Sequence, residues 1–234
     1  MIEVAQLARA DGIVLRTQDH AETDRIAVVL TPNHGRLDLL AKGARRMEQA
    51  AGAALDVLNV VKIIYYRRRS GLHLLKEVEL VRTFPGIRSD LDRATTALWG
   101  IEWALALIPT EAPDERVHRL TVEFLAALDA GHPPRVLALG YVLRLLAVAG
   151  HRPHLDGCLS CGAQDGLTWS PERGGLLCRP CGGSGEAVSP RVWRTLGAIA
   201  RLPLPALARL RVEETDLERG EALVRGFREA QLRR

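Results

Sequence analysis

Apolar and polar positions alternate along the first third of the chain. In GIVLRTQ (Gly12–Gln18) the alternation runs through Ile13, Leu15 and Thr17. RIAVVLT follows, then the turn signal PNHG, then RLDLLAKG. The stretch ARRMEQAAGAA reads as a loop. DVLNVVKIIYY is β-branched and aromatic, RRRSG reads as a hairpin tip, and LHLLKEVELVRT returns with partial alternation. Five short strands follow one another with turn signals between them. No helix among them is long enough for a parallel crossover. The pattern predicts a small closed barrel, best matched by a five-stranded OB-fold.

The period changes after FPG. Leu91, Ala94, Leu98, Ile101, Leu105 and Ile108 recur at helical steps, with Ser89 as the expected N-cap and Pro109 as the stop. A second helix is expected from about Asp114 to Ala130, with Val117, Leu120, Phe124, Leu125 and Leu128 on one side. PRVLALGYVLRLLAVAG is apolar nearly all round and should form the buried centre of a bundle. SPRVWRTLGAIARL opens with a Ser cap and a Pro at the first helical position. In TDLERGEALVRGFREAQL, Thr215 and Glu218 form a capping-box pattern. The expected class is α+β with several domains. Residues 1–82 would form the barrel and 83–234 a helical domain with an insertion at about 155–186.

Charge sharpens the reading of the barrel. The chain has 234 residues and a net charge of +4. Between Arg36 and Lys76 lie nine basic residues: Arg36, Lys42, Arg45, Arg46, Lys62, Arg67, Arg68, Arg69 and Lys76. Only three acids, Asp38, Glu48 and Asp56, share that span. The excess of six exceeds the net charge of the whole chain, a footprint for a polyanion. These nine are the candidate DNA-binding residues, with Tyr65 or Tyr66 available for base stacking. An ordinary solvated surface would also account for the charges. Successive strand residues point to opposite faces, so at most one of the two tyrosines belongs to the core.

The segment CLSCGAQDGLTWSPERGGLLCRPC holds every cysteine, as two C-x-x-C pairs: Cys158 and Cys161, then Cys178 and Cys181. This spacing fits one four-cysteine structural zinc site, Zn2+ bound by four thiolates with no open position for water. A redox dithiol and four reduced thiols without metal are the rival readings. A further variant has His151 or His154 displacing a thiolate. No phosphate-loop, zinc-protease or serine-hydrolase motif is present, and the acids are scattered. The expectation is a protein without catalytic activity. No apolar run approaches the ~18 residues of a membrane helix. MIEVAQLARADG lacks the apolar core of a signal peptide. A cytoplasmic location and no membrane partner are expected.

Several of these pieces match one family. GIVLRTQDHAETDRIAVVLTPNHGRLDLLAKGARR resembles the start of the bacterial recombination mediators of the RecO family. FPGIRSDLDRATTALWGIEWALALI resembles that family's junction between barrel and bundle, and the cysteine segment resembles its zinc-binding insertion. The resemblance covers nearly the whole chain in the same order. It implies an OB-fold, a helical bundle and a role in RecF-pathway repair near the nucleoid. It also implies binding of single- and double-stranded DNA, annealing of complementary strands, and cooperation with RecR in loading RecA. The implied partners include the acidic, Phe-ended tail of the single-stranded DNA-binding protein. Arg116, Arg119, Arg135 and Arg144, beside apolar helix faces, are the residues expected to receive that tail. A zinc-stabilised nucleic-acid hydrolase and an RNA-binding OB protein are the alternatives.

Overall fold

The computed structural model describes residues 6–44 and 49–232. Its first 129 residues and the rest form two compact units, Met1–Asp129 and Ala130–Arg234. In the first, five strands close a barrel: β1 (Gln6–His20), β2 (Asp24–Thr31), β3 (Gly35–Ala41), β4 (Val60–Arg67) and β5 (His73–Arg82). Their order is β1-β2-β3-β5-β4, and β4 pairs back onto β1. Only β3 and β5 run parallel, through Leu39–His73 and Leu40–Leu74. This is the OB-like topology that the alternation predicts.

The alternation sorts residues by face. Leu37 and Leu39 of β3, Val61, Ile63 and Tyr65 of β4, and Leu75 of β5 fill the barrel with Val14, Ala27 and Val29. In β1, Ile13, Val14 and Leu15 are all buried. Both faces are covered there, because α4 (Glu115–Asp129) packs on β1 and β2 from outside. A short helix, α1 (Gln49–Ala54), lies in the stretch expected to be a loop. Ala54 and Leu55 at its end join the barrel core. The Thr17 hydroxyl donates to the Leu55 carbonyl at 2.6 Å, and the Asn59 amide donates to that of Ala53 at 2.9 Å.

The barrel leads into α2 (Pro85–Arg88), then α3 (Leu91–Leu107) and α4. Two expectations need correction. Asp90, not Ser89, caps α3; its carboxylate accepts from the Arg93 N–H at 3.1 Å. The buried stripe of α3 is Ala97, Gly100, Ile101, Trp103, Ala104 and Leu107, while Leu91 and Leu98 are 78% and 46% exposed. Small residues let that stripe approach its neighbours closely, so side-chain size selects the face. The α3–α4 connection is strapped to β3. Gly35 has φ +68°, and a Cβ there would come within 2.3 Å of the Ala112 carbonyl oxygen, so only glycine fits. The Arg36 guanidinium donates to the carbonyls of Leu105 (2.9 Å) and Ile108 (3.1 Å) and to the Thr110 hydroxyl (2.5 Å). It thereby satisfies carbonyls that the end of α3 leaves without helical partners.

The second unit is built on α5 (Pro134–Val148), of which ten residues are buried, as its all-round apolar pattern predicts. A hairpin of β6 (Leu167–Ser170) and β7 (Gly175–Cys178) follows, then α6 (Pro190–Arg201), a 3-10 segment Leu204–Arg209 and α7 (Glu214–Leu232). Ser189 caps α6 as expected, accepting from the Val192 N–H at 3.3 Å. The helix α7 begins before Thr215: the Glu213 carbonyl already accepts from Asp216 and Leu217. Trp169 of β6 anchors the hairpin on α7. Its indole N–H donates to the Leu223 carbonyl at 3.2 Å, and its ring packs 5.7 Å from that of Phe227.

The Arg36 strap predicts a stability effect. Arg36→Met should destabilise the protein by about 1–3 kcal/mol, because buried carbonyls lose their donors. Urea unfolding monitored by circular dichroism measures it. A variant as stable as the parent would show that the strap contributes nothing.

Candidate nucleic-acid interface and metal centre

The seven basic candidates among the described residues do not form one surface. Arg36 is occupied by the end of α3 as described, which removes its guanidinium from solvent-facing duty. Lys42 is exposed in the turn after β3. Arg45 and Arg46 lie outside the described residues. Lys62 is exposed on β4 with Asp11 and Glu79 opposite it on the flanking strands. Lys76 pairs with Glu77 at 3.0 Å. A groove of about 720 Å³ beside β1, β4 and β5 is rimmed by Arg9, Lys62 and Lys76, and equally by Asp11, Glu77 and Glu79. Balanced charge of this kind offers a phosphate chain little net attraction.

Arg67, Arg68 and Arg69 stand together and exposed at the β4–β5 turn. The turn is held by His73, which is 2% exposed. Its Nδ1 accepts from the Arg68 backbone N–H at 3.1 Å, and its Nε2 lies 3.4 Å from Glu111. That fixes the tautomer with the proton on Nε2, directed at the carboxylate. Burial lowers the His73 pKa, outweighing the raising influence of Glu111. The other Glu111 oxygen pairs with Arg67 at 3.2 Å. Glu111 itself has φ +55° and donates its N–H to the Arg36 carbonyl at 2.9 Å. The Glu111 carboxylate therefore ties the basic turn to the α3–α4 connection. The two tyrosines separate as strand geometry requires. Tyr65 is fully buried, with its ring 5.5 Å from that of His73, and Tyr66 is half-buried on the outer face.

The arginines expected to receive an acidic tail fall in both units and differ in their surroundings. Arg116 is paired with Asp114 (2.7 Å), and Arg135 with Glu221 (2.8 Å) and Glu214. Arg119 is exposed on α4. Arg144 lines a cleft of about 250 Å³ between α5 and α6, together with Arg152, Arg201, Leu143, Leu155 and Ala200. Neither Arg152 nor Arg201 was singled out by the sequence pattern, since each stands alone among loop or helix-end residues. Only folding brings them beside Arg144.

The four cysteines converge. The Sγ atoms of Cys158, Cys161, Cys178 and Cys181 all lie within 4.8 Å of one another, and no disulfide joins them. Those of Cys161 and Cys178 are 3.7 Å apart. A tetrahedron with metal–sulfur bonds of ~2.3 Å has edges of about 3.8 Å. The donor set therefore fits one four-thiolate metal ion. Gly162 and Gly182, each directly after a ligand, take φ +75° and +88°, closing both knuckles. Cys158 and Cys178 are buried, Cys181 is half-buried and Cys161 is exposed. The Cys178 and then the Cys161 backbone N–H hold Cys158 down to about 6, while hydrogen-bonding neighbours Cys178 and Cys161 push Cys181 up to about 12. One thiolate raises the cost of the next, and a divalent cation reverses that cost. Among the described residues His151 and His154 stand outside the cluster. His154 instead bonds through its main chain to Gly174 and Leu176.

The family described as Recombination protein O N terminal matches residues 4–84, and Recombination protein O C terminal matches residues 88–234. The chain belongs to the RecO family. The DNA repair protein RecO of Anaeromyxobacter dehalogenans strain 2CP-1 is 37% identical over 207 residues, covering 86% of this chain and 81% of that protein. That of Rubrobacter xylanophilus is 34% identical over 221 residues, covering 91% and 88%. That of Symbiobacterium thermophilum is 33% identical over 186 residues, covering 77% and 73%. RecO membership sets the chain among proteins of DNA recombination and repair. No helix among the described residues is long and apolar enough to cross a membrane.

The cysteine geometry predicts one tightly held metal ion per chain. Replacing Cys158 and Cys178 by Ser should abolish it and lower the thermal midpoint, since metal binding to such a knot contributes folding energy. Elemental analysis and a thermal melt measure both. A variant that keeps stoichiometric metal would exclude this ligand set.

Proposed function

We propose that this RecO-family protein is a recombination mediator that works by binding and positioning, without catalysis. The barrel, residues 1–82, binds single- and double-stranded DNA without sequence preference and anneals complementary strands. The remainder, residues 83–234, serves protein partners and carries the metal-binding insertion at about 155–186. The observation that carries the reading is the β4–β5 turn, where three consecutive exposed arginines are presented on a backbone locked by His73. Arginines held in this way contact phosphates with little ordering cost. Lys42 extends the same kind of contact, while the carboxylates across the sheet from Lys62 and the Glu77 pair of Lys76 make these two weaker contributors.

Zinc is the metal that four thiolates in a closed tetrahedral site favour. When bound it supplies shape alone, because the site leaves no open position. Cys158 and Cys178 would form its buried side, and the Trp169 contact would carry its rigidity to α7. The cleft between α5 and α6 suits the acidic tail of the single-stranded DNA-binding protein. Arg144, Arg152 and Arg201 meet carboxylates, and Leu143, Leu155 and Ala200 offer a seat for the terminal ring. Asp156, paired with Arg201 at 2.6 Å, would exchange that partner for the tail. Together with RecR, such a protein loads RecA on DNA coated by the binding protein. It would do so in the cytoplasm, at the nucleoid, where thiols stay reduced.

Annealing of two short complementary strands, followed by fluorescence quenching, tests the reading. The protein should accelerate annealing without cleaving either strand, and DNA strands should anneal at least as well as RNA strands. In an Arg68→Ala, Arg69→Ala variant the slope of log K against log salt should fall by about 0.7 per lost contact on single strands and about 0.9 on duplex. An unchanged slope would put the DNA elsewhere, and cleaved strands would favour the hydrolase.

A further inference from the structure

One row of side chains on the outside of the barrel departs from the polar pattern around it. Strand register places Leu7 of β1 opposite Tyr66 of β4, and Tyr66 opposite Leu74 of β5. Leu74 lies beside Leu40 of β3, and Leu40 opposite Ile26 of β2. Paired residues share a face. Their chain neighbours Tyr65, Leu75, Leu39 and Ala27 fill the barrel core, so this row points outward. A solvated outer face ordinarily reads polar. Further along the strands it is mainly polar: Arg9 and Glu77 flank Ile64, and Asp11 and Glu79 flank Lys62. The row itself is apolar and aromatic on every strand, with Leu7 47% exposed and Tyr66, Leu74, Leu40 and Ile26 half-buried.

Basic residues stand at both margins of the row, dominant at the Arg67–Arg69 turn and matched by carboxylates on the side of Arg9 and Lys76. Because β4 runs against β3 and β5, Arg67–Arg69 follow Tyr66 toward one margin. Lys76 and Lys42 follow Leu74 and Leu40 toward the other, with Arg9 beside them. Lys76 lies within electrostatic reach of both Tyr66 and Arg9. The carboxylates at these margins include Glu77, paired with Lys76, Glu111, paired with Arg67, Asp38, beside Arg36, and Asp24, which accepts from the Gly43 N–H next to Lys42.

We infer that this row is a stacking band for the unpaired bases of a single strand, centred on Tyr66, with the phosphates carried chiefly by the Arg67–Arg69 turn at its margin. The inference rests on the DNA-binding reading above and gives it a structural basis for telling single strands from duplex. Apolar and aromatic side chains stack on the face of any base, which suits recognition without sequence preference. A duplex keeps its bases inside and can use only the margins. An extended peptide is a poorer occupant: at the row itself Tyr66, Leu74 and Leu40 are each paired to a strand on both sides, so no free edge exists there to take up its backbone.

The test uses the full chain and three probes: a thymidine single strand, an abasic strand of equal length, and a blunt duplex. Tyr66→Ala should weaken thymidine-strand binding by ~5- to ~150-fold, the range for loss of one stacked base. Abasic-strand and duplex affinity should stay unchanged, and Tyr66→Trp should restore the thymidine strand. Unchanged thymidine-strand affinity in Tyr66→Ala would overturn the inference, as would an equal loss for all three probes. The Arg68→Ala, Arg69→Ala variant separates the two levels. Weakening of all three probes there keeps the DNA-binding reading standing whatever Tyr66 does. If that variant also binds all three like the parent, the reading itself falls.

Discussion

The barrel closes through the parallel pairing of β3 with β5, at Leu39–His73 and Leu40–Leu74, and most of the candidate interface depends on that short seam. A closed sheet exposes no strand edge, so its outer surface becomes available for other contacts. The seam also fixes His73, the first residue of β5, against the barrel interior. From there its imidazole holds the Arg68 backbone on one side and Glu111 on the other. The basic turn thus inherits its shape from a core residue. Gly35 and Arg36, at the start of the same strand β3, bind the α3–α4 connection to the same end of the barrel. Barrel closure, turn geometry and helix placement are one construction within the first unit.

The second unit solves a different problem. Its hairpin of two four-residue strands is too short to be stable alone. Four cysteine thiols placed to hold one metal ion, and the packing of Trp169 on Phe227, give it two anchors. A metal ion held by all four thiolates would supply shape, because a closed donor set leaves no place for a reacting water.

The sequence pattern carries the barrel well, because strand alternation reports directly on which side chains face inward. It carries the cysteine knot equally well, because ligand spacing is local. It misses α1, whose alanines and glycine lack an amphipathic period. It misplaces the face of α3, because Ala97, Gly100 and Ala104 are chosen for size, and hydrophobicity alone favours Leu91 and Leu98. Charge is the least transferable signal. Arg36 looks like any other member of the basic segment until the fold brings Leu105 and Ile108 to it. Glu111 and the trio of Arg144, Arg152 and Arg201 have no sequence signature, since their partners lie on separate elements. The choice between Tyr65 and Tyr66 needs only the strand register.

The central claim is that the outside of the barrel, from the arginine turn across the β4–β5–β3 row, is where DNA lies. Photo-cross-linking of a single strand carrying 5-iodouracil, with the joined peptides identified by mass spectrometry, addresses it without any mutation. The account predicts cross-links at Tyr66 and in the peptides that contain the β4–β5 turn. Cross-links confined to residues 130–234 would contradict it.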